Sequence, residues 1–265
     1  MAHRLGSPLE DVRGPEDSTP PGVLPPKEEK AAWVQAMFGR IAGHYDLMNG
    51  LMTFGRDQTW RRYTVSQLGL GQPGDGAVGE RLVLDVATGT GDLALEVVRQ
   101  VPGGRVVGLD FVPQMLVLAQ AKSQPVAGRL SLAAGDALCL PFEDGVFDGV
   151  VTGFALRNVT DIGAAFGEMA RVTRPGGRVA CLEISRPRLP VFRRLFHWYF
   201  YRLVPLLGGW ISGQRAAYTY LPHSLTGFAS PDEIAAMMRG RGWHDVQYRR
   251  LMLGTVAVHV GTRAG

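Results

Sequence analysis

Apolar residues recur along this chain in two rhythms, and the rhythm changes near residue 81. Before that point Trp33, Val34, Met37, Phe38 and Ile41 return at helical spacing, which predicts an amphipathic helix with order beginning near Glu28. Beyond it, short apolar runs alternate with helical stretches. Strands are predicted over residues 81–86, 105–110, 130–134, 147–152 and 178–184. Helices are predicted around residues 115–122 and 162–173, the latter ended by Pro175-Gly176-Gly177. Runs apolar on both faces and separated by helices are those of a parallel sheet covered on each side. A last helix opens at Ser230-Pro231-Asp232-Glu233, a capping box with proline at its first position, and is closed by Gly242. Residues 246–253 and 256–262 then read as a hairpin around Gly254. The pattern predicts an α/β, doubly wound sheet.

Two segments depart from that pattern. Residues 1–27 hold six of the 17 prolines and no apolar periodicity, which predicts a disordered leader. Its acids, Glu10, Asp11, Glu16 and Asp17, outnumber Arg4 and Arg13, so it does not read as a transit peptide, and it has no secretory apolar region. The remaining residues, 28–265, form one domain in this reading, with residues 28–70 as a helical lid and 190–222 as an aromatic and basic insertion. In the insertion Phe192, Leu195, Phe196, Tyr199 and Leu203 form a helical stripe with Arg193, Arg194, His197 and Arg202 between them. Such a segment suits an anionic membrane surface. A core-packing helix or a dimer contact explains it equally well, because arginines snorkel past aromatic neighbours.

Composition narrows the field little. A chain of 265 residues with 20% charged positions and a net charge of +4 is an ordinary globular protein, too weakly basic to imply nucleic acid. No apolar run is long enough to span a bilayer. The two cysteines, Cys139 and Cys181, offer no metal-ligand spacing, and the histidines are scattered, so no metal site is expected. Reduced cysteines point to the cytoplasm, at or near the inner face of the plasma membrane if the insertion docks there. Homo-oligomerisation is left open.

The chemistry concentrates at V-L-D-V-A-T-G-T-G-D, residues 83–92. A strand runs into a glycine turn at Gly89 and Gly91, where the missing Cβ lets backbone approach a ligand, and a helix follows. Asp85 and Asp92 bracket this turn. Two carboxylates oppose a pyrophosphate at a helix N-terminus and favour a ligand carrying an ammonium and a sulfonium, which is S-adenosylmethionine. The rival reading is a nicotinamide enzyme, since Gly89, Gly91 and Ala94 with Asp110 downstream fit the looser dinucleotide pattern. A structural turn with surface acids is the plainest alternative.

Ligands of an open parallel sheet collect at the carboxyl ends of its strands. Asp110 ends the second strand, where a carboxylate can accept from both ribose hydroxyls. Asp136 and Ala137 follow the third, where Asp136 suits an adenine amino group with Met115 and Leu138 against the ring. Single acids at strand ends are more often turn residues, but three in series after an acidic glycine turn favour a ligand.

This series, with R-P-G-G at residues 174–177, resembles the class I S-adenosylmethionine-dependent methyltransferases over about residues 81–262. The resemblance implies a Rossmann-like sheet of seven strands with the last antiparallel, matching the closing hairpin. A closer resemblance lies elsewhere. Y-D-L-M-N at residues 45–49, F-A-L-R-N-V-T-D at 154–161, L-E-I-S-R-P at 182–187 and G-T-V-A-V-H-V-G at 254–261 are similar to signatures of the quinone-biosynthesis C-methyltransferases. That family methylates a ring carbon of demethylmenaquinol or of a ubiquinone precursor. The likeness implies cofactor contacts at Thr90, Asp110 and the Asp136–Ala137 pair. Gly153, where ubiquinone-making members often carry serine, and G-L-D-F at residues 108–111 lean toward the menaquinone branch.

Such a reaction needs a prenylated quinol held at attack distance and a group that stabilises the developing phenolate. Arg157, just after the fourth strand, suits that role as an electrostatic stabiliser or a proton relay, with Asn158 orienting it or the ring oxygen. An ion pair with Asp161 or Asp46 is the structural alternative for Arg157. Tyr45, Asp46 and Asn49 are expected to line the quinol side of the pocket from the lid. Amino-group methylation of nucleic-acid bases is disfavoured, because no N-P-P-[Y/F/W] run and no basic appendage occur.

Overall fold

The computed structural model describes residues 24–26, 28–71 and 80–265. The expected disordered leader lies outside these residues except at 24–26. Three helices come first, α1 (Lys30–Ile41), α2 (Tyr45–Thr53) and α3 (Asp57–Ser66). The alternating region follows as β1 (Leu82–Val86), α4 (Asp92–Gln100), β2 (Arg105–Asp110), α5 (Pro113–Ser123), β3 (Leu130–Ala134), β4 (Phe147–Gly153), α6 (Ile162–Val172) and β5 (Thr173–Ile184). Next come α7 (Pro190–Trp198), a π turn at Tyr199–Leu203, α8 (Val204–Ser212), α9 (Arg215–His223), α10 (Pro231–Arg239), β6 (Trp243–Leu251) and β7 (Val256–Arg263).

The seven strands form one sheet in the order β3-β2-β1-β4-β5-β7-β6. The first five pair in parallel, and β7 runs antiparallel to both β5 and β6. The sequence-based expectation of a doubly wound sheet closed by a hairpin is borne out. Alternation along each strand explains the two layers. Leu84, Val150, Val179 and Cys181 face α6 and α10, joining Phe166, Met169, Ile234 and Met238. Their neighbours Val83, Val106, Val151 and Ala180 face the other way, against Leu93, Val97 and Val98 of α4 and Val65 and Leu68 at and just beyond the end of α3. A period of two places successive side chains on opposite faces, so both faces are buried.

A third apolar cluster sits over the carboxyl ends of the strands. Val34, Met37, Phe38 and Ile41 of α1 pack there with Val112, Met115, Phe200, Val204, Tyr218 and Leu221. The first two helices and the insertion therefore close the edge where ligands bind, while α3 extends back along the sheet.

Three boundaries differ from the sequence-based ones. The R-P-G-G stretch is a bulge within β5, since Thr173 already pairs with Phe147 before Arg178 pairs with Gly149. A Cβ at Gly177 would lie 2.8 Å from the Asp148 carbonyl oxygen, so the bulge requires glycine. Helix α10 stops at Arg239 and is capped by Gly240, whereas Gly242, at φ +88°, turns the chain into β6. That strand starts three residues early because Trp243, 1% exposed, anchors it by donating from Nε1 to the Phe166 carbonyl.

Candidate active site

The glycine turn is built from below by Asp85. Its Oδ2 accepts from the Thr88 hydroxyl at 2.6 Å and from Ala94 N at 3.0 Å, tying the end of β1 to the first turn of α4. The carboxyl is fully buried, and burial pushes its pKa up to about 7 against the pull of those hydrogen bonds. Asp85 therefore braces the turn from beneath and lines neither of the cavities described below, in contrast to its expected place as a ligand acid. Gly89 and Gly91 adopt φ +57° and +87°, and nothing lies within 4 Å of a Cβ built at Gly89. The turn thus leaves an open backbone face at Gly89, while Gly91 packs toward Ala119. Ala87 and Phe154 also hold positive φ, +56° and +59°, at the ends of β1 and β4, where both border a cavity. Such conformations cost of the order of 1–3 kcal/mol and gather at functional sites.

Asp110 receives Gly89 N on Oδ2 at 2.8 Å and Val112 N on Oδ1 at 2.9 Å. The Phe111 backbone also reaches the carboxylate, which leaves part of its four-site acceptor capacity for a ligand hydroxyl. Burial raises its pKa, and the backbone donors counter that. Around it a cavity of about 110 Å³ is lined by Gly89, Met115, Asp136, Ala137, Leu138 and Asn158, with Phe38 and Tyr45 from the lid. This is narrow for a nucleoside, and Phe38 and Tyr45 form the side of it that comes from the lid. Asp136 binds its own loop through Leu138 N at 2.9 Å.

A second cavity of about 340 Å³ shares Phe38, Tyr45 and Phe154 with the first. Its walls are mostly apolar, including Met37, Met48, Phe196, Phe200, Tyr218 and Leu221. Buried polar atoms without partners among the described residues interrupt them, among them Arg61 Nε and the Tyr218 hydroxyl. Asn49 Nδ2 and Arg157 Nε are buried and have no hydrogen-bond partner among the described residues. An unpaired buried donor costs about 1–3 kcal/mol, so both are poised to meet an acceptor. Leu195, Trp198, Phe54 and Met252 line the same cavity yet are 58%, 57%, 76% and 41% exposed, which marks its mouth as an apolar rim.

Arg157 is 5% exposed. It donates to the Phe154 carbonyl at 2.7 Å and pairs with Glu183 at 3.6 Å. Neither alternative partner holds it: Asp161 caps α6 through Ala164 N, and Asp46 pairs with Lys122 at 2.7 Å. Asn158 Oδ1 accepts from Tyr220 at 3.2 Å, and its side chain lines the Asp110 cavity. Glu183 is the residue that sequence reasoning missed. It lies within L-E-I-S-R-P, but only the fold shows its carboxylate accepting from Leu156 N at 2.6 Å and so fixing the Arg157 loop. Burial raises the Glu183 pKa, with Arg157 as the main opposing influence.

The remaining expected site residues sit just outside the two cavities. The Thr90 hydroxyl donates to Asp46 at 2.6 Å and accepts from Lys122 at 3.0 Å. Lys122 also reaches Asp92 at 2.6 Å, and Arg61 reaches Asp92 at 3.2 Å. Asp46 therefore latches the lid to the glycine turn, where it was expected to face the quinol. Asp92 is not a bare anion either. Burial alone would raise its carboxyl, and Arg61 with Lys122 more than offset this, holding it below the ordinary range.

The ubiE/COQ5 methyltransferase family model matches residues 26–263. The chain belongs to that family. The demethylmenaquinone methyltransferase of Roseiflexus castenholzii is 49% identical over 92% of this chain and 98% of its own length. The ubiquinone/menaquinone biosynthesis C-methyltransferase of a Geobacter species is 42% identical over 89% and 98%. Among solved structures, a SAM-dependent methyltransferase of Thermotoga maritima, a possible histamine N-methyltransferase, superposes with a TM-score of 0.60. At 17% identity over 86% of this chain and 98% of that one, it supports the fold alone. In this ubiE/COQ5 methyltransferase, the Asp110 cavity and the apolar cavity share Phe38, Tyr45 and Phe154.

Proposed function

We propose that the protein is an S-adenosylmethionine-dependent C-methyltransferase that converts demethylmenaquinol to menaquinol. The observation that carries this reading is an apolar cavity, interrupted by a few unpartnered polar groups that include Asn49 Nδ2 and Arg157 Nε, that shares walls with a cavity built on the strand-end acid Asp110. A lipophilic quinol needs apolar walls for its tail and a few donors for its ring oxygens. The residues present also suit the cofactor, with acceptor capacity left on Asp110 for a ribose hydroxyl, an open backbone face at Gly89 and Met115 lining the same cavity. When bound, S-adenosylmethionine supplies an electrophilic methyl group on a sulfonium.

The protein's own part is positioning and charge. Arg157 presents its guanidinium to the quinol oxygen that carries the developing phenolate charge. Glu183 holds the guanidinium and its loop while Nε remains available. Asn49 supplies a second donor from the lid. Phe154 and Tyr45, shared by both cavities, set the approach of ring carbon to methyl. The quinol hydroxyl proton leaves to solvent as the phenolate forms. The methylated ring carbon of the resulting dienone then loses its own proton to solvent, which restores the aromatic ring and returns a proton to the oxygen.

The exposed rim extends to Val191 and Leu253, 83% and 62% exposed, with Arg193 and Arg194 exposed beside it. This supports a peripheral stance on an anionic membrane, through which a prenyl tail enters the cavity mouth. No helix among the described residues is long and apolar enough to cross a bilayer. The test is methyl transfer from labelled donor to a prenylated demethylnaphthoquinol and to the corresponding methoxybenzoquinol. The naphthoquinol should be methylated, and activity confined to the benzoquinol would reject the assignment. Pelleting with anionic vesicles, weakened by Trp198→Ala, checks the membrane stance.

A further inference from the structure

Arg61 sits on the α3 helix with its side chain 7% exposed, a degree of burial unusual for an arginine of the lid. Its Nη2 lies 3.4 Å from Asp57 and 3.2 Å from Asp92, the first residue of α4. The guanidinium also stands 5.8 Å from the centre of the Phe154 ring, which borders both cavities. Both ion pairs fall on one nitrogen. Nε is buried without a hydrogen-bond partner among the described residues, although Arg61 lines the apolar cavity. A structural ion pair alone would leave no reason for that unpaired donor at a cavity wall.

The charges nearby constrain what fits. Asp46, Asp57 and Asp92 face Arg61 and Lys122, leaving one negative charge in excess around the glycine turn. A ligand group complementary to this corner carries a cation for the surplus acid and an acceptor for the free Arg61 donor. An α-amino acid does both, because its carboxylate presents the planar acceptor pair that a guanidinium fork matches. A neutral quinol oxygen would satisfy Nε but leave the surplus acid unanswered.

We propose that Arg61 binds the α-carboxylate on the amino-acid arm of S-adenosylmethionine, which makes this lid residue part of the cofactor site. The inference rests on the cofactor reading above. Arg61 lies on α3, which packs against α4 through Val65, so the guanidinium is held beside the glycine turn by the fold itself. Beside it, the Asp46–Lys122–Thr90 latch ties α2 to the same turn.

The test is calorimetric binding to the full chain of two ligands, S-adenosylhomocysteine and its decarboxylated analogue, which keeps the ammonium and the thioether. The wild-type protein should prefer the carboxylate-bearing ligand by about tenfold or more, the worth of one or two charge-assisted hydrogen bonds. Arg61→Gln should bind the two ligands alike, and Arg61→Lys should restore part of the preference. Equal wild-type affinities would overturn the proposal without any variant, as would a preference that Arg61→Gln leaves intact. A fall in both affinities together would also overturn it, assigning Arg61 to the fold. If the wild-type protein bound neither ligand, the cofactor reading itself would fail, which is a separate outcome.

Discussion

Replacing Asp85 by asparagine should change the stability of this enzyme in a direction that depends on pH. The Asp85 carboxyl is raised from 3.8 to about 7 by burial, so between those values the folded protein holds a proton that the unfolded chain has released. Stability from this group is greatest at low pH, falls as the pH rises through that window, and is level above about 7. At about 1.4 kcal/mol for each tenfold in proton affinity, the full loss is about 4 kcal/mol. Asparagine carries no charge to desolvate, and its oxygen can accept from Thr88 and Ala94 as Oδ2 does. Its amide nitrogen then replaces Oδ1, which has no partner among the described residues, at a cost of about 1–3 kcal/mol. The net expectation above pH 7.5 is a variant about 1–3 kcal/mol more stable, or a few degrees in Tm for a domain of this size. Near pH 5 most of the charge penalty is gone from the wild type, and the variant should match it or fall below. Melting curves of both proteins without ligand, taken from pH 5 to pH 8.5, make the comparison. Other titrating groups are common to the two proteins and cancel in the difference. A Tm difference that stays constant across this range would refute the account of Asp85 as a buried, uncompensated carboxylate.

Asp110→Asn keeps the side-chain volume but replaces one acceptor oxygen by a donor that faces Gly89 N or Val112 N; cofactor affinity should drop about tenfold or more by calorimetry. Arg157→Lys should lower kcat by about 10²–10³ while S-adenosylhomocysteine binding stays within twofold or so, since the lost group acts on the quinol oxygen. Glu183→Gln retains the acceptor for Leu156 N yet strips the buried guanidinium of its counter-ion. It should cost about 3–5 kcal/mol of stability, together with much of kcat, and unchanged melting would remove Glu183 from its positioning role. A Cβ on Gly208 would lie 2.1 Å from Tyr218 Cγ on the floor of the apolar cavity. Gly208→Ala should therefore cost about 1–3 kcal/mol and raise KM for the prenylated quinol more than for the cofactor.

Much of this molecule was legible in one dimension. Strand and helix periods, the glycine turn and the capping box at Ser230 are local properties, set by side-chain alternation and by backbone angles that few residues tolerate. They determined the order of the elements, and with it the edge of the sheet at which Asp110 and Asp136 stand. Which charge meets which was decided only by tertiary structure, because ion pairing depends on distances across the chain. Arg157 finds Glu183, 26 positions away on the neighbouring strand, where the sequence offered Asp161 and Asp46 as candidates. Asp46 turns to Lys122, and Asp85 sinks beneath the turn it was expected to charge. The apolar stripe of residues 192–203 was readable as a stripe, but not as the wall of a cavity rather than a core contact. That distinction depends on whether the opposing helices leave a gap, which a one-dimensional pattern does not encode.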